Sequence, residues 1–179
     1  PTFAKETSTK AIAYQMARQM TYLRHEHRLA RYFDLHALQG LYMAAGCAVN
    51  PNFAVRVRHD LPKDQASQAV HFIQEAALVL KQQLKPEAQG LLRSSIEVVE
   101  KTFRTHTIEK WQRGVELTST FAALAAVGDV LLVGHTLMDE EPALSTLTSK
   151  DKIQATVGYA LSERYTELRQ KMQVGVGNG

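Results

Sequence analysis

Three observations predict an all-α fold: a single-domain bundle of five or six helices with one short extended segment near residues 53–58. Apolar residues recur at three- and four-residue intervals through most of the chain, the spacing of one helix face. Capping residues and prolines bracket those runs. Five prolines and ten glycines among 179 residues are too sparse to break the chain into linkers. Hydrophobic residues at 45% and charged residues at 22% are those of a globular chain rather than a disordered one, and this length is expected to bury one core. The domain is expected over residues 1–174, with Gly175-Val176-Gly177-Asn178-Gly179 as a flexible tail.

The first helix is expected to start near Thr7 to Thr9, with Ile12, Met16, Met20, Leu23 and Ala30 on its buried stripe. At about 100° per residue, Arg24, Arg28 and Arg31 then fall within an arc of roughly 60° beside that stripe and form a guanidinium ridge. Asp34 caps a second helix from about Leu35 to Val49, with Leu38, Leu41, Tyr42 and Ala45 inward and Asn50-Pro51 as its stop. Gly40 and Gly46 weaken that helix or permit close packing. Phe53 to Arg58 alternates, with Val55 and Val57 opposite Arg56 and Arg58, and reads as an extended arm.

Asp60-Leu61-Pro62 opens the third helix, since proline suits a first turn whose N–H has no partner. Ala66, Ala69, Val70, Ile73, Ala77, Leu80 and Leu84 carry its period to about Lys85. Pro86 starts a fourth helix bearing Leu92, Ile96, Val99 and Phe103, which continues or is re-capped at Thr105-His106-Thr107 and leads to Ile108, Trp111 and Val115. The apolar run from Phe121 to Met138 reads as the central helix. It approaches the length of a membrane span, but Asp129 near its middle would cost roughly 2.5–3.5 kcal/mol on insertion, so a core helix is expected and no membrane. The last helix is capped by Ser149 and buries Ile153, Val157, Leu161, Leu168 and Met172.

Charge is unevenly placed. Residues 1–60 hold eight basic and four acidic side chains, and residues 116–179 hold five and eight. Such polarity serves a polyanion, an acidic partner, or contact between copies of one chain. Between Lys10 and Lys63 every basic residue is arginine, interleaved with tyrosine, phenylalanine and histidine. Arginine grips phosphate bidentately and stacks on bases, and aromatic rings add sequence-tolerant stacking. A further cluster runs through Lys101, Phe103, Arg104, His106, Lys110, Trp111 and Arg113.

Catalytic patterns are missing. No glutamate has a histidine three residues later, so the helical di-metal motif is absent, and His25 and His27 point in nearly opposite directions on a helix. His27 is expected as a core histidine bonded to a neighbour, and the His135/Asp139 pair as structural. No phosphate-binding glycine loop or nucleophile elbow occurs. Asp129 is expected to be a buried carboxylate needing a partner, with an arginine of the first helix as one candidate. The lone Cys47 forms no internal disulfide, and with no leader-like apolar run near Pro1 a cytoplasmic setting is expected.

The expected function is therefore a non-enzymatic nucleic-acid-binding subunit of a larger nucleoprotein complex, self-assembling or built with other proteins, without cofactor or metal. Its contacts to the backbone, of a single strand slightly before a duplex, are assigned to Arg24, Arg28, Arg31, Arg56, Arg58, Arg104 and Trp111. The alternatives are a helical adaptor for an acidic protein partner and a small helical enzyme or metal-binding bundle.

Overall fold

The computed structural model describes residues 9–53, 55, 62–102, 107–140 and 144–172. Among these the chain is helical, without a strand, and holds nine α-helices rather than five or six. They are α1 (Thr9–Thr21), α2 (Arg28–Tyr32), α3 (Leu35–Val49), α4 (Lys63–Gln83), α5 (Pro86–Thr102), α6 (Thr107–Val127), α7 (Val130–Met138), α8 (Ser149–Ala160) and α9 (Glu163–Lys171). They group into two compact units instead of around the one core expected. Residues 33–108 form one, and residues 1–32 with 109–179 form the other.

In the contiguous unit α4 and α5 follow the sequence pattern, but α3 buries Met43, Ala44, Ala48 and Val49 beside the expected Leu38 and leaves Leu41, Tyr42 and Ala45 only half-buried. Asp34 accepts the Ala37 N–H at 2.8 Å and caps α3, as its residue type requires. Met43, Ala44, Ala48 and Val49 of α3 meet Ile73 and Ala77 of α4 and Ile96 of α5 in a single cluster. Gly46 is where the close approach falls: a Cβ there would lie 2.5 Å from the Phe53 ring, whereas one at Gly40 would meet nothing within 4 Å. The same Phe53 ring meets Tyr42 edge-on at 5.8 Å. Long side chains close the helix ends. Arg93 Nε donates to the Val49 carbonyl at 3.0 Å, and Gln89 Nε2 to the carbonyls of Lys81 and Leu84. These are carbonyls that have no partner within their own helix. Of the expected extended arm only Phe53 and Val55 are described, and neither is in a strand. Arg56 and Arg58, like the Thr105-His106 junction and the tail, lie outside the described residues.

The discontinuous unit departs from the pattern in three ways. First, the helix expected over 121–138 is two. Gly128 takes φ +65, a left-handed value that ends α6, and Asp129 caps α7 by accepting the Leu132 N–H at 3.0 Å. Arg169 of α9 secures the break by donating to the Ala125 carbonyl at 3.0 Å. Second, the last helix is also two. Thr148, not Ser149, opens α8 through a reciprocal capping box with Asp151, and Ser162 caps α9. Third, most of the apolar stripe read on the first helix faces solvent: Ile12, Met16 and Met20 of α1 and Leu23 just beyond it are 49%, 59%, 64% and 67% exposed, while Tyr14, Arg18 and Thr21 are buried; only Ala30, on α2, is buried as expected. The same inversion occurs on α8, where Lys152 and Thr156 are buried and Val157 is not, and the expected Leu161 and Met172, at the ends of α8 and α9, are also exposed.

The core of this unit is Tyr14, Ala123, Leu124, Val133 and Leu137, extended by Ile153, Tyr159 and Tyr165. Phe121 stacks on Tyr159 at 4.3 Å, and Tyr159 meets Tyr165 edge-on at 5.5 Å. Among the described residues no helix is long and apolar enough to cross a membrane.

Candidate functional site

Two features of the discontinuous unit concentrate charge, one buried and one exposed. The buried feature explains the inversion of α1. Arg18 projects from the face it shares with Tyr14 and Thr21, one turn before and one turn after it, into a ring of alternating charge. Its Nη2 is 2.8 Å from Glu116 Oε1 of α6, and its Nη1 reaches Glu140 Oε1, just beyond α7. Lys152 of α8 closes the ring, with Nζ 2.9 Å from Glu116 Oε1 and 3.1 Å from Glu140 Oε2. Tyr22 donates its hydroxyl to Glu116 Oε2 at 2.9 Å. Two cations thus face two carboxylates with no net charge.

Environment sets the protonation of these groups. Burial alone would raise the Glu116 carboxyl, but Lys152, Arg18 and the Tyr22 hydroxyl more than offset it and hold its pKa below the ordinary value. Burial pushes the Tyr14 phenol up to about 12, with the Arg18 cation opposing. For Arg18 burial acts downward, yet Tyr14, Glu140 and Glu116 raise its pKa above the ordinary value. The paired charges remain charged and the buried phenol stays neutral. That chemistry ties α1, α6, α7 and α8 together; it offers no poised acid or base.

The exposed feature is the arginine segment. It does not form the single helical ridge expected, because α1 ends at Thr21. The Tyr22 and Leu23 N–H groups bond back to the Gln19 and Met20 carbonyls, Arg24 is extended at φ −63, ψ 136, and a single 3₁₀ turn, His25–His27, precedes α2. His27 is half-buried, and its Nδ1 meets the Thr21 carbonyl at 3.0 Å, the neighbour bond expected of it.

Of the assigned contact residues, Arg24, Arg28 and Arg31 are exposed and lie within eight positions. Arg24 is paired with Glu26, 2.6 Å from Nη2 to Oε1. Arg28 and Arg31 form no ion pair with any described residue. The Arg31 guanidinium lies 5.6 Å from the Tyr22 ring centre and 6.0 Å from that of Tyr32, within cation–π range. Trp111 sits half-buried on α6, with Arg113 3.7 Å from Glu109 on the same helix. Arg56, Arg58 and Arg104 lie outside the described residues.

Asp129 finds no arginine. It is about one-third exposed, caps α7 and pairs with Lys10 at 2.9 Å, and the Leu132 N–H and Lys10 hold its pKa low. His135 and Asp139 are both exposed, linked by the Asp139 N–H donating to the His135 carbonyl at 3.2 Å. Among the described residues no three His, Cys, Asp or Glu side chains are grouped to hold a metal ion.

Arg18, Glu116, Glu140 and Lys152 were missed by sequence reasoning, which assigns charged residues to the surface. The signal that was present is polar spacing: Tyr14/Arg18 and Lys152/Thr156 stand four apart on helices whose apolar residues point elsewhere. Comparison with models of known families, with curated proteins and with solved structures gives no match.

Proposed function

We propose that the chain is a non-enzymatic nucleic-acid-binding subunit of a larger nucleoprotein complex, gripping the phosphodiester backbone without sequence preference. One observation carries this reading: Arg28 and Arg31 stand exposed on α2 with no carboxylate partner among the described residues, beside exposed Arg24 and the rings of Tyr22 and Tyr32. Guanidinium groups in that state meet phosphate oxygens without first breaking an internal pair, and the adjacent tyrosines provide faces for stacked bases. Only one acidic side chain, Glu26, occurs between Thr9 and Phe33, so the local field is positive. Arg56, Arg58, Arg104 and Trp111 extend the assignment.

The Arg24–Glu26 pair favours a second reading, in which the same segment receives the carboxylates of an acidic protein partner.

Fluorescence anisotropy of a labelled single-stranded oligonucleotide, titrated at several salt concentrations, tests the proposal. Binding is expected to weaken linearly in log–log form. The double variant Arg28→Ala/Arg31→Ala is expected to lower the slope by about 1.4–1.8, two phosphates' worth of released counterions. Absence of binding by micromolar protein at low salt, to single or double strands, overturns it. Unchanged binding by the double variant moves the site away from α2.

A further inference from the structure

We propose that the outward face of α1 is the contact surface of a two-fold symmetric dimer, each copy presenting Ile12, Met16, Met20 and Leu23 to the other. These four side chains, three on α1 and Leu23 in the turn that follows it, are half to two-thirds exposed although all are large and apolar. Together they leave on the order of 400 Å² of apolar surface uncovered, a patch of the size that marks interaction sites. The helix cannot turn to bury them. Its opposite face is held by Arg18 in the ring with Glu116 and Glu140, by Tyr22 on Glu116 and by Tyr14 in the core.

The chemistry of the face selects its occupant. From Ile12 to Leu23 the outward residues are Ile12, Gln15, Met16, Gln19, Met20 and Leu23, with no charge among them. A polyanion or an acidic helix gains nothing there. The charges at the two ends of the face are neutralised within the same chain, Lys10 by Asp129 and Arg24 by Glu26. A second copy therefore brings an uncharged apolar ridge against an identical one, without like charges opposed.

Ile12, Met16 and Met20 form a row at four-residue spacing, and two such rows interdigitate at a crossing of about −50°. Facing ridges of that size, with part of the flanking Gln15 and Gln19, remove roughly 800–1,000 Å² from water, the size of a weak, transient interface. Association at micromolar rather than nanomolar concentration follows. Methionine at the centre supplies the adaptable packing such a contact needs.

The inference is independent of nucleic-acid binding, because the face excludes the α2 arginines. Sedimentation velocity of the full chain without nucleic acid, from 1 to 100 μM, is the test. The 20.0 kDa chain is expected to approach about 40 kDa with rising concentration. Met16→Glu/Met20→Glu, at two exposed positions, is expected to stay at the single-chain mass throughout, with unchanged helical circular dichroism. Wild-type protein that stays at one chain's mass at 100 μM overturns the proposal, as does undiminished association of the double variant. Growth beyond two copies overturns the closed two-fold form. Arg28→Ala/Arg31→Ala, which reads the nucleic-acid proposal, is expected to leave the dimer intact.

Discussion

Replacing Lys152 with methionine keeps an unbranched apolar stem one atom shorter but removes one of the two cations in the buried ring. Glu140 Oε2 then loses its 3.1 Å partner, and Glu116 Oε1 keeps Arg18 at 2.8 Å but loses Lys152 at 2.9 Å. A buried ion pair need not exceed an apolar replacement in stability, but a ring that loses a single member leaves an uncompensated carboxylate. That costs about 3–5 kcal/mol. Glu140 is one-quarter exposed, so water relieves part of the loss and the lower figure is expected. The assay is urea unfolding followed through Trp111, the only tryptophan, which stands on α6 five residues before Glu116 in the same unit. Adding Glu140→Gln restores the charge balance and is expected to recover at least about 1 kcal/mol, a non-additivity typical of groups in one network. The reasoning is refuted if Lys152→Met unfolds within about 0.5 kcal/mol of the natural chain, or if the second substitution makes it worse.

Two further outcomes follow from the same coordinates. Because the folded state holds the Glu116 carboxyl below its ordinary pKa, its contribution is complete above the unfolded value of about 4.3 and is lost as pH falls through the folded one. The Trp111 transition is thus expected to lose stability steeply below about pH 4, and Lys152→Met is expected to flatten that loss. The two glycines of α3 are expected to differ in sign. Gly40→Ala, into open space within a helix, is expected to stabilise by about 0.5–1 kcal/mol. Gly46→Ala, whose Cβ meets the Phe53 ring at 2.5 Å, is expected to destabilise by about 1–3 kcal/mol, and paired denaturation curves check both.

The helices of residues 33–108 were legible because their buried faces are apolar. Ile73 and Ala77 of α4 and Ile96 of α5 lie where the 3.6-residue period puts them, and Asp34 caps where its chemistry demands. The rest of the chain defeats the same rule for a physical reason. Hydrophobic periodicity measures the cost of burying an unpaired polar group, and Arg18, Glu116, Glu140 and Lys152 are paired with one another across long separations. No local window contains both halves of such a pair. The breaks at Gly128 and Ser162 were a different failure. A glycine followed by Asp129, and a serine followed by Glu163, are stop and start signals, but the apolar residues around them argued for continuation. The candidate arginines were identifiable from composition; that α2 is separate from α1 was not, since nothing at Tyr22 to Arg24 is a helix breaker by type.

Because residues 33–108 interrupt the other unit, that unit cannot finish assembling in the order in which a ribosome delivers it. Arg18 emerges early and waits 98 positions for Glu116, and longer still for Glu140 and Lys152. At about 5–20 residues per second the delay is on the order of ten seconds. Throughout it the first helix has neither its carboxylates nor its hydrophobic neighbours, while the intervening segment, complete at residue 108, has every residue of its own core before Glu116 is made. The nascent chain therefore carries an unshielded, arginine-bearing segment through that interval, a period in which a chaperone or another emerging chain has first access to it.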